Sequence, residues 1–298
     1  MFRRGRIAAV AALVAVAAGP GLTVEAGSSG WCTFDDETGI VRIGGAAQMA
    51  VGVNKDGVLL WGEAPAWNPN WFEFTVCNGG GKFVALDKIE RIDIMAVAGS
   101  TTRGDDNWVF IFDEVMGHDA PEYGAPASGL VDERIYVMGP GSLMLSATLG
   151  PGQPTVTVGP HGVDRNGDGT LDLTFLTKPA ILDLRLGDVA GGVTFDGSTY
   201  DLPGLWVFGS EDDDHITGSG HADRLIGEGG NDVVVGGGGD DEIWGVMGID
   251  QLYGNGGDDE ILGINDDDPD LMIGGSGYDT CTLSADDTPA TVSCDQIT

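Results

Sequence analysis

The sequence predicts an all-β protein that ends in a repetitive segment, on three observations. From Gly209 the chain falls into nine-residue units. Upstream, short runs of alternating apolar and polar residues lie between clusters of Gly, Pro, Asn and Asp, the punctuation of strands and turns. No amphipathic stretch longer than about ten residues invites a helix.

At roughly 150 residues per domain, 298 residues suggest two domains. The boundaries fall into a leader (1–26), an all-β N-terminal domain (27–205), a repeat array (206–282) and a C-terminal cap (283–298). Composition narrows the function. Lys and Arg total 14 against 47 Asp and Glu, a formal charge of −33, so nucleic acid and anionic lipid would be repelled. Hydrophobic residues make up 42%, enough for a core and too many for a disordered acidic tail.

Residues 2–6 read Phe-Arg-Arg-Gly-Arg, an apolar run of 12 follows from Ile7 to Ala18, and Val24-Glu25-Ala26 places small residues at a cleavage site. This is the pattern of a secretory signal peptide cut after Ala26. Twelve residues reach about 18 Å as a helix, too little for a bilayer. No other stretch is long and apolar enough to span one, so the expected location is extracellular. Cleavage removes Arg3, Arg4, Arg6 and Glu25 and leaves a charge of −35.

Cys32, Cys77, Cys281 and Cys294 remain, an even number in an oxidising compartment. Three pairings are open. Cys32–Cys77 and Cys281–Cys294 are favoured because each pair lies within one compositional segment. A metal–thiolate site would lack any Cys-x-x-Cys spacing.

In the N-terminal domain, strands are expected at 40–43, 51–53, 82–86, 92–97, 108–112, 134–138, 143–148, 155–158, 171–176 and 181–186. Gly99 to Asn107 before Trp108 looks like a stretched version of the later turn–strand unit. A degenerate β-solenoid and a sandwich both accommodate these strands. Asp164-Arg165-Asn166-Gly167-Asp168-Gly169-Thr170-Leu171-Asp172 matches the D-x-N-x-D-G-x-x-D half of a calcium loop. Asp164, Asn166, Asp168 and Asp172 are candidate ligands there, although Phe175 stands where a closing Glu would be needed. An Asn-Gly/Asp-Gly hairpin turn is the plainer reading. Trp61, Trp67, Trp71, Phe72 and Phe74 crowd one segment, as hairpin or core packing more readily than as a glycan platform.

Catalytic signatures are missing. His118, His161, His215 and His221 form no His-Glu-x-x-His pattern, no Gly-x-Ser-x-Gly occurs, and Gly79-Gly80-Gly81-Lys82 is followed by Phe83 rather than Ser or Thr. The expectation is a protein that is not an enzyme.

The repeat carries the strongest signal. Its units are GSEDDDHIT, GSGHADRLI, GEGGNDVVV, GGGGDDEIW, GVMGIDQLY and GNGGDDEIL, then GINDDDPDLMI with two extra residues, then GGSGYDTCT. Gly opens every unit. Asp stands sixth, at Asp214, Asp223, Asp232, Asp241, Asp250 and Asp259, with Asp270 following the insertion and Asp279 closing the series. The eighth place is apolar: Ile216, Leu225, Val234, Ile243, Leu252, Ile261, Met272 and Cys281. Gly frees the backbone of the turn, and Asp is a short, hard oxygen donor that suits Ca²⁺. The apolar residue alternates with polar neighbours and should face inward.

This array resembles the RTX (hemolysin-type) calcium-binding nonapeptide repeat, G-G-x-G-x-D-x-U-x. The resemblance implies a parallel β-roll, each unit giving a six-residue turn and a three-residue strand, two units to a coil. Stacking then sorts the Asp residues into two columns, Asp223-Asp241-Asp259-Asp279 and Asp214-Asp232-Asp250-Asp270. The second should bind ions less well, because Val246, Met247 and the insertion interrupt its turns. At most six inter-turn sites are available.

Residues 209–282 hold 15 Asp and 4 Glu against Arg224 alone. Carboxylates stacked about 4.8 Å apart repel by roughly 1 kcal/mol per pair even in water, so metal binding and folding should be one event. Cys281 occupies an inward place of the last unit, and a bridge to Cys294 would hold the tail over the open end of the roll. Similar cysteine-bearing tails in secreted bacterial RTX proteins support that cap. The expected function is that of a secreted calcium-binding protein with a structural, cell-surface, glycan or matrix role. The alternative is a calcium-stabilised extracellular hydrolase with an active site in 27–205.

Overall fold

A computed structural model describes residues 31–45, 48–53, 59–63, 73–76, 78–79, 82–83, 91–97, 107–112, 132–138, 143–148, 155–176, 178–186, 191–263, 268–284 and 292–298. The leader and Cys77 lie outside these residues, as do Trp67, Trp71 and Phe72. Among the described residues every regular element is a strand.

Two long sheets run through the described residues. In the repeat region one sheet stacks His215–Thr217, Val233–Gly238, Gln251–Gly256, Leu271–Ser276 and Val292–Ser293. The other stacks Leu205–Phe208, Arg224–Gly229, Glu242–Met247, Glu260–Gly263, Thr280–Leu283 and Gln296–Ile297. All of these pairs are parallel, and consecutive units alternate between sheets, so two units complete a coil. The registers align the eighth positions: Ile216 pairs with Val234, Val234 with Leu252 and Leu252 with Met272. Opposite them Leu225 pairs with Ile243, Ile243 with Ile261 and Ile261 with Cys281. Each of these side chains is fully buried, so the core is one apolar residue deep from either sheet.

Apart from His215–Thr217, the repeat strands up to Thr280–Leu283 are longer than three residues. Second and third turn positions also ladder, as in Glu228 with Val246, Gly229 with Met247, and Asn255 with Gly275. The cause is identical turn geometry in successive coils, which sets turn peptides in register as well as strands.

The same two sheets continue upstream. Ile40–Gly45, Arg91–Val97 and Asp132–Met138 pair in parallel, and so do Gln48–Val53, Asn107–Phe112, Leu143–Thr148 and Pro179–Arg185. This is the solenoid arrangement rather than a sandwich. The strand Pro179–Arg185 passes the ladder to Leu205–Phe208, and Thr194–Asp196 passes it to His215–Thr217, so the stack has no break where the repeats begin. Antiparallel additions decorate it, including Trp31–Asp35 on Ile40–Gly45 and the hairpin of Leu59–Glu63 with Glu73–Val76.

The tail adds a strand to each sheet. Val292 pairs with Met272 and Ile297 with Cys281, and a Cys281–Cys294 disulfide ties the tail to the last coil. Cys32 is also disulfide-bonded.

Candidate metal centre

All eight sixth-position aspartates are at most 4% exposed, an unusual place for carboxylates. The turns hold them there by hydrogen bonds along the stacking axis. Asp232 Oδ1 accepts the Asp214 N–H at 2.7 Å, Asp250 Oδ1 that of Asp232 at 2.8 Å, and Asp270 Oδ1 that of Asp250 at 2.9 Å. On the other edge Asp241 Oδ1 accepts from Asp223 at 2.9 Å, Asp259 from Asp241 at 2.9 Å and Asp279 from Asp259 at 3.1 Å. The structure thus assembles both columns in the expected membership. The insertion in the seventh unit is absorbed before Asp270, which keeps its place under Asp250.

The second carboxylate oxygen behaves differently. Oδ2 of Asp232, Asp241 and Asp259 is buried without a hydrogen-bond partner. A bare anionic oxygen in the interior is costly, and in native proteins it signals a partner still to be supplied. Each of these oxygens lies against the first glycine of its own turn. A β-carbon on Gly227 would stand 2.3 Å from Asp232 Oδ2 and 2.9 Å from Gly245 O, and one on Gly236 would stand 2.2 Å from Asp241 Oδ2 and 2.8 Å from Gly254 O. The first glycine is therefore a matter of space. The fourth is a matter of both space and dihedral: Gly248 has φ +116°, and its β-carbon would stand 1.8 Å from Gly230 O. Carbonyl oxygens thus share the inter-turn gap with the carboxylates.

Within 209–282 no lysine or arginine neutralises the columns, although His221 draws Asp223 down. Arg224, the one Lys or Arg between 209 and 282, lies on the outer face, where its guanidinium donates to Glu242 at 2.8 and 3.0 Å. Burial consequently pushes the carboxyls of Asp232 and Asp241 up to about 8, reinforced by the stacked carboxylates above and below and opposed by one backbone N–H each. Burial likewise pushes Asp223 up to about 6, and raises Asp214 and Asp259. Among the described residues no three His, Cys, Asp or Glu side chains gather closely enough to hold a metal alone. An ion in this gap must take most of its oxygens from turn carbonyls, a donor set that fits Ca²⁺ with its six to eight oxygens at about 2.3–2.6 Å.

The turns are not all alike. Position two is left-handed at Glu228 (φ 75°), Val246 (97°) and Asn255 (75°), and at Gly237 and Gly275. Ser210 and Ser219 hold that position in the first two units without a left-handed backbone. There the Ser210 N–H donates to Asp214 Oδ2 and the Ser219 N–H to Asp223 Oδ2, each at 2.6 Å. Their hydroxyls donate to the same carboxylates at 3.0–3.1 Å.

Two features escape the nonapeptide pattern. Asp295 Oδ2 accepts the Asp279 N–H at 3.0 Å, and Ile297 pairs with Cys281 although it is 45% exposed, so Asp295-Gln296-Ile297 repeats the D-x-U pattern without its glycines. Fifth positions build a second, exposed ladder, with Asn231 N–H donating to Asp213, Ile249 to Asn231, Asp258 to Asp240 and Tyr278 to Asp258. The side chains at 213, 231, 240 and 258 are all Asp or Asn, which was the available signal.

The Asp164–Asp172 loop joins the antiparallel strands Gly162–Asp164 and Leu173–Phe175. It folds around its own carboxylates. Asp164 accepts N–H groups of Asn166, Gly167 and Gly169, Asn166 Oδ1 that of Asp168, and Asp172 Oδ2 that of Arg165. Hydrogen bonds from the Thr170 hydroxyl and N–H hold Asp168 below the usual carboxylate range, whereas burial raises Asp172.

Residues 206–234 and 235–268 match the family described as the RTX calcium-binding nonapeptide repeat (4 copies). No curated protein and no solved structure matches the chain. The protein therefore carries calcium-binding RTX repeats in a parallel β-roll. Among the described residues no helix is long and apolar enough to cross a membrane.

Proposed function

We propose that this is a secreted, non-enzymatic calcium-binding protein whose β-roll folds when ions enter the gaps between stacked turns, and whose stiffened solenoid serves a structural or surface- and matrix-contacting role. The observation that carries this reading is the set of buried, partnerless Oδ2 atoms of Asp232, Asp241 and Asp259. These carboxylates and the neighbouring turn carbonyls would hold the ions. Bound calcium supplies the positive charge that the segment otherwise lacks, with −18 formal charges between residues 209 and 282.

The chain's own residues do the rest. The first glycine of each turn leaves room for the carboxylate, Oδ1 anchors it to the preceding turn, and the eighth residue binds the coil to the core. The basic, apolar and small-residue segments of 1–26 support export, where millimolar calcium is met only after release.

Calcium titration of the mature protein, read by far-UV circular dichroism and calorimetry, tests this. The expected result is a cooperative gain of β-structure that saturates at several ions per chain. A roll fully formed in chelator, with no calcium heat, would overturn the reading.

A further inference from the structure

Among the described turns two kinds stand apart, and the difference has a consequence for where calcium acts. In the glycine turns that begin at Gly227, Gly236 and Gly254, the carboxylate has one oxygen on a backbone N–H and one bare. In the turns 209–214 and 218–223 the carboxylate has no such need. Asp214 receives the Ser210 N–H and hydroxyl and, at 2.6 Å, the N–H of Val193 from the coil upstream. Asp223 receives the Ser219 N–H on one oxygen and its hydroxyl on the other.

The serine hydroxyl also fills the turn from within. Ser219 Oγ accepts the His221 N–H at 3.1 Å, and Ser210 Oγ accepts the Asp212 N–H at 3.3 Å. One hydroxyl thus ties the fourth-position amide to the carboxylate. Neither fourth residue, Asp212 nor His221, takes the left-handed conformation of Gly230, Gly239, Gly248 and Gly257. A neutral donor stands where the glycine turns call for a cation.

We infer that the serine turns 209–214 and 218–223 are closed without calcium and hold no ion, and that they form the metal-independent seat on which calcium-dependent folding begins at Gly227. This rests on the reading of the glycine turns as ion sites. It assigns Ser210 and Ser219 a positioning role and takes Asp214 and Asp223 out of the set of ligands. The division is physically sensible. The serine turns ladder directly onto the upstream solenoid, through Thr194–Asp196 on His215–Thr217 and Leu205–Phe208 on Arg224–Gly229. A roll whose first coil is already in place avoids nucleating in mid-chain, where the first contacts bring little return for the order they require.

The test compares the full mature chain with Asp223→Asn, Asp241→Asn and the double variant Ser210→Ala/Ser219→Ala, using calcium calorimetry and hydrogen exchange in chelator and in calcium. Asp223→Asn should bind as many ions as the parent, and Asp241→Asn should bind fewer. In chelator, amides of 205–208, 215–217 and 224–226 should stay protected while those of 242–263 exchange. The double serine variant should lose that protection about tenfold per serine, the fold-change matching about 1.4 kcal/mol for one hydrogen bond to a charged group, with the ion count unchanged. Loss of an ion in Asp223→Asn would overturn the inference and leave the calcium reading intact. Equal exchange of 205–226 and 242–263 in chelator would also overturn it. No calcium heat in any variant would mean that the calcium reading itself has failed.

Discussion

Replacing Asp241 with Asn should change the stability of the roll with opposite signs in chelator and in calcium. Asp241 is 2% exposed, stacked between Asp223 and Asp259, and its carboxyl is pushed up to about 8. Folding without an ion at pH 7 therefore requires it to take up a proton that it lacks in the unfolded chain, where its value is about 3.9. At about 1.4 kcal/mol per pH unit, that uptake costs the ion-free roll at most about 4 kcal/mol. The amide removes the cost. Its Oδ1 still accepts the Asp223 N–H, and its NH₂ replaces the bare Oδ2 beside the Gly254 carbonyl. In saturating calcium the same change removes an anionic donor and should weaken the loaded roll. Urea unfolding at pH 7, followed by far-UV circular dichroism, should show a higher midpoint than the parent in chelator and a lower one in calcium. Destabilisation in both would refute the reasoning, since Oδ2 would then be a structural acceptor that needs no cation.

Acidification should substitute in part for calcium. The folded values of Asp232 and Asp241 lie above the unfolded ones, so their contribution is complete below about 3.9 and is lost as pH rises towards about 8. In chelator, β-structure should be greater at pH 5 than at pH 8, by about 1.4 kcal/mol per pH unit for each group. With calcium present the order reverses, because protons and ions compete for the same oxygens. Circular dichroism at the two pH values checks both halves, and an ion-free roll better folded at pH 8 would contradict the buried-charge account. Reduction of Cys281–Cys294 should loosen the end of the stack first: hydrogen exchange should rise at 280–283 and 292–298 and stay unchanged at 224–243. Uniform loosening, or none, would show that the tail is held by its strand pairing alone.

The sequence displays the roll because its chemistry is tied to position. The sixth residue must be a short carboxylate, the eighth must fill a core one side chain deep, and the first can carry no β-carbon, which at Gly227 and Gly236 would stand 2.2–2.3 Å from Asp232 and Asp241 Oδ2. Such constraints repeat at fixed intervals and can be read without a structure. The upstream solenoid cannot be read so, because its parallel partners begin at Ile40, Arg91 and Asp132 on one sheet with no common period. The unequal spacing hides the repeat although most strands themselves are recognisable; Trp31–Asp35, Leu59–Glu63, Glu73–Val76 and Thr194–Asp196 are among those that escape. The tail shows the opposite failure. Asp295-Gln296-Ile297 satisfies the local rule, but the glycines that would announce it are absent.

The serine turns are missed for a different reason: a single residue type at position two reads as a tolerated deviation, yet it changes the backbone. With an ordinary φ, the Ser219 N–H reaches Asp223 Oδ2 at 2.6 Å. With the left-handed φ of Glu228, Gly237 and Asn255, the corresponding Oδ2 of Asp232, Asp241 and Asp259 receives nothing. One dihedral thus separates a turn that satisfies its own carboxylate from one that leaves it waiting for a cation. Val246 gives the measure of that requirement. A β-branched residue at φ 97° is strained by about 1–3 kcal/mol, and such strain persists only where the surroundings over-determine the conformation. Here the surroundings are the turns above and below, laddered to it through Glu228 and stacked through Asp232, Asp250 and Asp270. The fifth turn therefore keeps the left-handed form against the preference of its own residue, because the turns laddered and stacked against it impose that geometry.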